Sequence, residues 1–228
     1  MISHTPEAAQ QPEPPIDCTL CSRLSAFRAA NAQSHPEWFN SPVPSFGDGD
    51  ARMLIVGLAP GLQGANKTGR PFTGDYAGDL LYATLAKFGY STGSYDGHAE
   101  DGLALNKCMI TNAVRCVPPQ NKPTGEEERH CRPFLVARIA QLSQLCVIMA
   151  LGKIAHDSTL VAMGYRKSAF KFGHGAVHKL DDRLTLFDSY HCSRYNTNTR
   201  RLTPEMFEDV FVSISEFIAT RPRAGGKT

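Results

Sequence analysis

The sequence lacks both a long apolar run and the features of an exported protein. No apolar stretch reaches the roughly 20 residues that a helix needs to cross a bilayer. Residues 1–15 are polar and rich in proline, so they lack the apolar core of a signal peptide. These absences argue against membrane and secreted proteins, and we expect a cytoplasmic protein that makes no membrane contact.

The sequence also lacks a strong net charge and the two common nucleotide-binding motifs. The formal net charge is +2, so a surface for nucleic acid must come from local clusters of basic residues. Neither a Walker loop nor a GxGxxG motif is present. With 42% apolar and 20% charged residues in a chain of 228, the composition instead suits a globular enzyme with a sizeable core.

The stretch around which the sequence is organised runs from residue 53 to residue 79. A short apolar run, Met53 to Val56, predicts a buried strand that continues into a glycine-rich loop. Open α/β sheets bind ligands where such a loop joins a strand to a helix N-terminus, because backbone N–H groups can approach a ligand closely there. The sequence therefore predicts a ligand loop. Its glycines are Gly57, Gly61, Gly64, Gly69, Gly74 and Gly78.

Strand patterns alternate with helix patterns along the chain, which predicts a parallel sheet covered on both faces. We expect strands at residues 53–56, 107–114, 145–151 and 183–190, and helices at residues 22–32, 76–88, 124–142, 152–164 and 203–219. The predicted fold class is α/β: a single-domain three-layer α/β/α sandwich with a central, mainly parallel four-stranded sheet. This domain covers residues 17–220, between a disordered tail (1–16) and a flexible basic tail (221–228).

Four parts of the sequence carry polar groups that could form a site. The loops at residues 57–79 and 191–201 leave the ends of predicted strands, and Asn112 lies near the end of another, so the topology predicts that they converge at one crevice. Residues 165–174 interleave aromatic residues with cations, a composition that suits contact with phosphates and bases. A solvated loop with two core phenylalanines is an equally good interpretation of that segment.

Cys18 and Cys21 form a C-x2-C pair near the start of the predicted domain. Two cysteines at this spacing can bind one metal, and a disulfide is the weaker interpretation in a reducing cytoplasm. Spacing alone leaves zinc and an iron–sulfur cluster both open. Cys108 and Cys146 fall within predicted strands and are most simply buried apolar residues.

Five separated motifs carry a resemblance to a known family. They are GLAPG at residues 57–61, TGRPFTGD at 68–75, TNAVRCVPP at 111–119, CRPF at 131–134 and HCSRYNTNTRR at 191–201. In this order they resemble the uracil-DNA glycosylase superfamily, and most of all its iron–sulfur family five group (UDGb). The resemblance extends from Cys18 to Ala219. One position departs from it, because the family usually has proline where this sequence has Cys192.

The resemblance implies a cofactor and a partner. The implied cofactor is a [4Fe-4S] cluster of structural role, which would join the N-terminal segment to the region of residues 116–131. The partner implied is DNA that contains uracil or another deaminated base, and we expect the protein to act on it as a monomer. The ligands that match the family are Cys18, Cys21, Cys116 and Cys131.

The resemblance also assigns roles to site residues. The catalytic residues would be Asp75, His191 and Asn196; the substrate-binding residues Gly57, Leu58, Ala59, Gly61, Phe72 and Asn112; and the DNA-binding residues Arg194, Tyr195, Arg200 and Arg201. Other roles stay open for three of them. Asp75 could cap the helix that follows it, His191 could be a core or capping histidine, and Phe72 could be a packing residue.

The implied activity is excision of a damaged base by hydrolysis of its N-glycosidic bond, which leaves an abasic site and requires the base to leave the stack. Gly61 lies where family one enzymes have a tyrosine that blocks large bases, so hypoxanthine and xanthine are expected substrates beside uracil. Three alternatives remain: a strict uracil enzyme of the family four type, a hydrolase of small nucleotides, and a DNA-binding module with a metal clip.

Overall fold

The computed structural model describes residues 11–222, and residues 1–10 and 223–228 lie outside the described part. Six strands form the main sheet. They are β1 (Phe46–Gly47), β2 (Met53–Gly57), β5 (Cys108–Asn112), β6 (Val147–Leu151), β7 (Val177–Lys179) and β8 (Thr185–Ser189), in the spatial order β1-β5-β2-β6-β8-β7. The four central strands are parallel to one another, and β1 and β7 run antiparallel at the two edges. This confirms an α/β fold with a mainly parallel sheet.

The sheet has six strands rather than the four expected from the sequence. The four predicted strands are the central ones, which are buried on both faces and contain enough apolar residues to be recognised in the sequence. The two edge strands are so short that they give no periodic pattern, and they were therefore missed. A separate two-stranded ribbon, β3 (Ser91–Thr92) and β4 (Ala104–Leu105), lies in the predicted insertion at residues 89–104.

Helices cover both faces of the sheet. They are α1 (Ser22–Ser34), α2 (Ala65–Thr68), α3 (Tyr76–Lys87), α4 (Gly125–Gln141), α5 (Lys153–Ala162), α6 (Arg194–Asn198) and α7 (Pro204–Ala219). Alternate residues of β2 face opposite ways: Met53 and Ile55 pack with α3 and α7, whereas Leu54 and Val56 pack with α4 and α5. Residues 53–56 of β2 therefore have apolar side chains on both faces of the sheet.

Local signals set where the longer helices begin. The hydroxyl of Thr124 accepts a hydrogen bond from the backbone N–H of Glu127, whose carboxylate accepts one from the N–H of Thr124 at 2.7 Å. This is the predicted capping box. The hydroxyl of Thr203 caps α7 in the same way, and Pro204 occupies the first turn, where its missing N–H costs nothing.

Most of the two expected tails, residues 1–10 and 223–228, lies outside the described residues, and the described remainder contacts the domain. Residues 11–16 were predicted as disordered, but Glu13 lies 2.8 Å from the buried guanidinium of Arg115 and also pairs with Arg138. The carboxylate therefore neutralises a charge that would otherwise be buried alone, and this attaches the segment to the domain. At the other end, the guanidinium of Arg221 donates to the carbonyl of Asp182 at 2.7 Å.

The described residues contain no helix that is long and apolar enough to cross a membrane.

The ribbon β3–β4 supports the segment that joins the glycine loop to α3. Within that segment, Arg70 is almost fully buried, and its guanidinium nitrogens lie 2.7 and 2.6 Å from the two carboxylate oxygens of Asp101. The hydroxyl of Tyr95 donates to the carbonyl of Phe72 at 3.3 Å. The Arg70 guanidinium also holds the pKa of the Asp101 carboxyl well below its usual range. The predicted insertion is thus a structural part of the loop that it contacts.

We predict that Asp101→Asn destabilises the protein, because it leaves the guanidinium of Arg70 buried without an opposite charge. The expected loss is about 3 kcal/mol in the free energy of unfolding, measured by urea denaturation at pH 7. The control is Asp96→Asn, which changes a neighbouring carboxylate that is largely exposed. Equal stability of the two variants would show that the pair contributes nothing to the fold.

The contribution of Asp101 also has a defined pH range. Because its pKa is lowered in the folded protein, its stabilisation is present above the ordinary carboxyl pKa of about 4 and is lost as the pH falls further. The stability difference between wild type and Asp101→Asn should therefore shrink at acid pH.

Candidate active site

A cleft of about 280 Å³ opens at the carboxyl ends of the central strands. Gly57, at the end of β2, pairs in register with Asn112 at the end of β5, and His191 follows the end of β8. This is the crevice that the parallel topology predicts. The predicted site residues that line it are Leu58, Ala59, Gly61, Phe72, Asp75, Asn112, His191 and Arg194.

Gly57 lies beneath the cleft and makes room for two of its side chains. A β-carbon at this position would lie 2.4 Å from the amide oxygen of Asn112 and 2.8 Å from the ring of Phe72. Both distances are shorter than any van der Waals contact, so only glycine allows the two side chains to stand side by side. Gly57 therefore shapes the cleft through the space that it leaves for these two side chains.

Asp75 caps α3 and faces the cleft at the same time. One carboxylate oxygen accepts from the backbone N–H of Gly78 at 3.2 Å. The other lies against the glycine loop, where a β-carbon at Gly61 would be 3.3 Å away and one at Gly64 only 2.5 Å. Burial raises the pKa of Asp75, although backbone N–H groups and the helix N-terminus favour its ionised form. A carboxylate with a raised pKa is suited to accept a proton.

Phe72 packs its ring in the cleft from a backbone conformation that is rare for a side chain of its size. Its φ is +53°, and its carbonyl lies where a β-carbon at Gly78 would be only 1.9 Å away. The hydroxyl of Tyr95 donates to that carbonyl and so helps to hold the conformation. The ring faces His191, with 5.8 Å between the ring centroids. Phe72 and His191 thus form two walls of one pocket.

Asn112 presents an amide to the cleft from the end of a buried strand. The residue is 3% exposed, and its side-chain oxygen has no hydrogen-bond partner among residues 11–222. A buried oxygen without a partner costs stability, so its retention here favours a role in binding a donor group of a ligand.

His191 is neutral in the folded protein at physiological pH. Burial lowers the pKa of its imidazole to about 4. Within the described part of the chain, neither ring nitrogen hydrogen-bonds another residue, although the side chain lines the cleft. A neutral imidazole with an unused N–H can donate a hydrogen bond to a ligand without carrying a charge into the site.

Asn196 does not line the cleft, in contrast to its predicted direct role. Its amide nitrogen donates to the carbonyl of His191 at 2.8 Å. The backbone N–H of Asn196 donates to the hydroxyl of Ser193, which caps the short helix α6. The structure therefore gives Asn196 a contact with the backbone of His191 rather than with the space that a substrate would fill.

Cys192, for which the sequence suggested no role, joins two parts of the site. It is fully buried, and its sulfur lies 3.3 Å from the carbonyl of Ala77 in the first turn of α3. The thiol can donate a hydrogen bond there, which a proline at this position could not. Cys192 therefore links the loop of His191 to the helix that begins at Asp75.

The predicted DNA-binding residues lie around the cleft on exposed surface. The guanidinium of Arg194 stacks on Tyr76, 5.1 Å from the ring centroid, and Arg201 stacks on Tyr190 at 4.7 Å. Arg200 is exposed and has a left-handed backbone, with φ of +56°. Tyr195 is 72% exposed, a large value for an aromatic side chain. An exposed aromatic between cations suits contact with nucleic acid.

Asn121 lines the cleft but was missed in the sequence, where residues 117–123 gave only a loop. It follows Gln120 in a short turn in which both residues have positive φ, of 57° for Gln120 and 56° for Asn121. Asparagine adopts this conformation more readily than most residues. An asparagine two residues after a pair of prolines was the only available signal, and it indicates a turn without indicating its direction.

The four predicted metal ligands lie together. Cys18 and Cys21 precede α1, Cys116 follows β5 and Cys131 lies in α4, and all four line one small cavity. Cys116 and Cys131 are buried, the other two are half-buried, and all are free thiols.

An ion pair also crosses from α1 to α4 near this cavity. The guanidinium of Arg23 makes two hydrogen bonds, of 2.8 and 2.7 Å, to the carboxylate of Glu127. The cysteine site is therefore formed between parts of the chain that are distant in sequence.

Comparison with known proteins identifies the family. A family model described as the uracil DNA glycosylase superfamily matches residues 44–214. The chain belongs to the uracil-DNA glycosylase superfamily. The match contains the cleft residues from Leu58 to Arg194, so it confirms the resemblance that the five motifs carry.

This member of the uracil-DNA glycosylase superfamily shares more sequence identity with two type-5 relatives than with a type-4 relative. It is 45% identical over 201 residues to a type-5 uracil-DNA glycosylase of Thermus thermophilus, covering 86% of this chain and 91% of that one. A type-5 uracil-DNA glycosylase of Mycobacterium bovis is 41% identical over 203 residues, 85% of this chain and 75% of that one. A type-4 uracil-DNA glycosylase of Sulfurisphaera tokodaii is 30% identical over 201 residues, 86% and 79% of the two chains.

Proposed function

We propose that this protein is a DNA repair glycosylase that removes uracil, hypoxanthine and xanthine from DNA and leaves an abasic site. The observation that carries the proposal is one cleft with a proton acceptor, a neutral hydrogen-bond donor and an unpartnered amide: Asp75, His191 and Asn112. Relatives named uracil-DNA glycosylases support it.

Asp75 is proposed to activate the attacking water. In related families a carboxylate or asparagine of the first motif does this, but Leu58 and Ala59 occupy those positions here and have no polar side chain. Water adds its oxygen to C1′ of the sugar, its proton passes to the carboxylate, and the bond between C1′ and the base nitrogen breaks. The raised pKa of Asp75 and its position in the cleft support this role.

His191, Asn112 and Phe72 are proposed to hold the departing base. The bonding electrons leave with the base, whose carbonyl oxygen gains negative charge, and the neutral N–H of His191 can donate to that oxygen. The amide of Asn112 can both donate to and accept from a base edge. The ring of Phe72 offers an apolar surface on which the extruded base can stack.

Two asparagines support this arrangement in different ways. Asn196 is proposed to be a positioning residue, since it holds the carbonyl of His191 at 2.8 Å. Asn121 reaches the cleft from the turn after β5 and is proposed to contact the substrate or the attacking water. A positive φ at Asn121 fits a residue held in place for function.

The residues around the cleft are proposed to bind the DNA. Arg194, Arg200 and Arg201 would neutralise phosphates, which is the main source of affinity for a protein with little net charge. The exposed ring of Tyr195 would fill the gap left by the extruded base.

The direct test is incubation with oligonucleotides that contain uracil, hypoxanthine or xanthine, followed by alkaline cleavage of abasic sites. Strand cleavage at the damaged base is expected. A protein that releases no base, but hydrolyses free nucleotides or only binds DNA, would contradict the proposal and favour one of the other classes.

We predict that Asp75→Asn lowers the single-turnover rate of base release by on the order of a hundredfold, with little change in DNA affinity. Asparagine caps helices about as well as aspartate, so the substitution removes the proton acceptor and keeps the helix. The control is Asp79→Asn, in the first turn of the same helix. An Asp75→Asn variant with full activity would leave Asp75 with capping as its only role.

The same roles predict the pH dependence of the rate. Asp75 must be ionised to act, and its pKa is raised, so the rate should fall on the acid side as the pH drops through that pKa. His191 acts as the neutral imidazole and is neutral above a pH of about 4, so it adds no decline at alkaline pH. The acid decline should be absent from the residual activity of Asp75→Asn.

The range of bases is proposed to depend on Gly61. A β-carbon there would meet only Asp75, at 3.3 Å, so the space beside the carboxylate is open. Removing a clash removes discrimination against larger bases. Hypoxanthine offers an oxygen where adenine has an amino group, and only the oxygen can accept from the N–H of His191. Excision of uracil and hypoxanthine, without excision of normal adenine or cytosine, is therefore expected.

We predict that Gly61→Tyr lowers hypoxanthine release more than uracil release, because its ring fills the open space. The measurement is the ratio of the two single-turnover rates. A displacement of Asp75 by the new side chain would lower both rates and leave their ratio unchanged. Gly61→Ala is the control, because it adds only the β-carbon. Strict uracil specificity of the unmodified protein would refute the argument from an open pocket and favour a family four type of enzyme.

The cysteine site is proposed to hold a [4Fe-4S] cluster through Cys18, Cys21, Cys116 and Cys131. A single zinc ion holds sulfur at about 2.3 Å, which requires the sulfur atoms to lie within about 4 Å of one another. Among residues 11–222, no three of these sulfur atoms lie within 4.8 Å of one another. This wider arrangement supports a cluster.

The chemistry of the thiols also supports a cationic centre. Burial raises the pKa of Cys21 and Cys131 to about 11 and that of Cys116 to about 12, and their proximity to one another adds to the effect. Four thiolates are stable here only with a positive centre between them. When bound, the cluster would join the segment before α1 to the chain around Cys116 and to α4, and it would take no part in the hydrolysis.

We predict that anaerobically purified protein is brown and contains equal iron and sulfide. Cys116→Ser should lose the colour and much of the soluble yield, because metal binding stabilises the folded state. The control is Cys108→Ala, a fully buried thiol of β5 that does not line the cavity, and it should keep the iron. Stoichiometric zinc without iron would overturn the assignment.

A further inference from the structure

His174 lies outside the cleft but contacts the strand end that leads to His191. Its Nδ1 accepts a hydrogen bond from the backbone N–H of Tyr190 at 3.1 Å, and its Nε2 donates to the carbonyl of Met206 at 3.2 Å. The ring also stacks on Tyr190, with 5.0 Å between centroids. His174 therefore connects the start of α7 to the residue immediately before His191.

These contacts require one particular form of the ring. An N–H donor faces Nδ1 and a carbonyl acceptor faces Nε2, so the ring must be neutral with its hydrogen on Nε2. Burial lowers the pKa of His174, which favours this neutral form, although Asp209 acts in the opposite direction.

The segment that carries His174 is held by a second, buried group of residues. Asp188 of β8 is fully buried, and one carboxylate oxygen lies 2.7 Å from Nδ1 of His156, also fully buried, on α5. The other oxygen lies 3.1 Å from Nε2 of His178, on β7, and accepts from the N–H of Gly173 at 3.4 Å. Asp188 thus binds the chain directly before His174.

His156 completes this support. Its Nε2 lies 3.1 Å from the carbonyl of Phe170, while its Nδ1 faces Asp188. Both neighbours are acceptors, so both ring nitrogens must donate, and the buried pair is an imidazolium with a carboxylate. Although His156, His178 and Asp188 are close enough to bind a metal ion, hydrogen bonds already use their ligand atoms.

We propose that His174 is a positioning residue of the cleft, which acts on His191 through the backbone N–H of Tyr190. The inference rests on the proposed role of His191 in base release. His191 is then held on both sides: His174 binds the N–H of the preceding residue, and Asn196 binds the carbonyl of His191 itself. The buried pair of His156 and Asp188 keeps His174 in place.

The proposal predicts a pattern of two substitutions. His174→Phe keeps the stacking on Tyr190 and loses the acceptor, so single-turnover base release should fall by on the order of ten- to a hundredfold, because small displacements of catalytic groups are costly. His174→Asn restores an acceptor near the position of Nδ1 and should recover most of the rate. DNA affinity should change little in either variant. The matched control is His98→Phe, at a half-exposed histidine in the insertion that carries β3 and β4.

Nuclear magnetic resonance separates positioning from a loss of stability and does not depend on activity. In His174→Phe the amide proton of Tyr190 should shift upfield and exchange faster, and the pKa of the His191 ring should rise from about 4 towards its ordinary value as its burial is relaxed. In His174→Asn both signals should return towards those of wild type.

Three outcomes would overturn the proposal. The first is a His174→Phe variant whose His191 resonances and rate match wild type. The second is a rate loss explained entirely by a lower melting temperature, with an unchanged His191 pKa. The third is a His174→Asn variant as slow as His174→Phe. If wild type itself released no base, the nuclear magnetic resonance comparison would still decide the positioning role, while the proposed function would have failed separately.

Discussion

The site depends on the close approach of two parallel strand ends, at Gly57 of β2 and Asn112 of β5. Because Gly57 has no side chain, the amide of Asn112 and the ring of Phe72 can both stand at the floor of the cleft. The same principle acts again in the glycine loop, where Gly64 leaves room for the carboxylate of Asp75. Gly57 and Gly64 therefore contribute by lacking a side chain, because the side chains of the site occupy the space that a β-carbon would fill.

The cleft also creates opposite electrostatic effects on its two titratable groups. Burial raises the pKa of Asp75 and lowers the pKa of His191, since it disfavours the charged form of each. Both shifts favour the neutral forms, so the carboxyl group of Asp75 binds a proton more readily and the imidazole of His191 binds one less readily. One desolvated environment can thereby provide a proton acceptor and a neutral donor, a combination suited to cleaving a bond whose leaving group becomes an anion.

Much of the support for this cleft comes from segments without a recognisable pattern. The insertion at residues 89–104 holds the Phe72 segment through Tyr95 and through the pair of Asp101 with Arg70. The segment at residues 165–174 contacts the residue before His191 and the start of α7 through hydrogen bonds of His174. Such contacts join residues far apart in sequence, so they cannot be predicted from the local pattern of apolar and polar residues.

The amino-acid sequence by itself indicated the central strands and the helices with their caps, and its resemblance to a known family indicated most of the cleft residues and the four cysteines of the small cavity. The central strands contain apolar runs, and caps and separated motifs are local, so each can be read from neighbouring residues. Only the tertiary structure decided that β1 and β7 extend the sheet, that Asn121 lines the cleft, and that the side chains of Asn196 and Cys192 contact backbone carbonyls. Those outcomes depend on the direction of a side chain and on which distant group it meets, and both are fixed only when the chain packs.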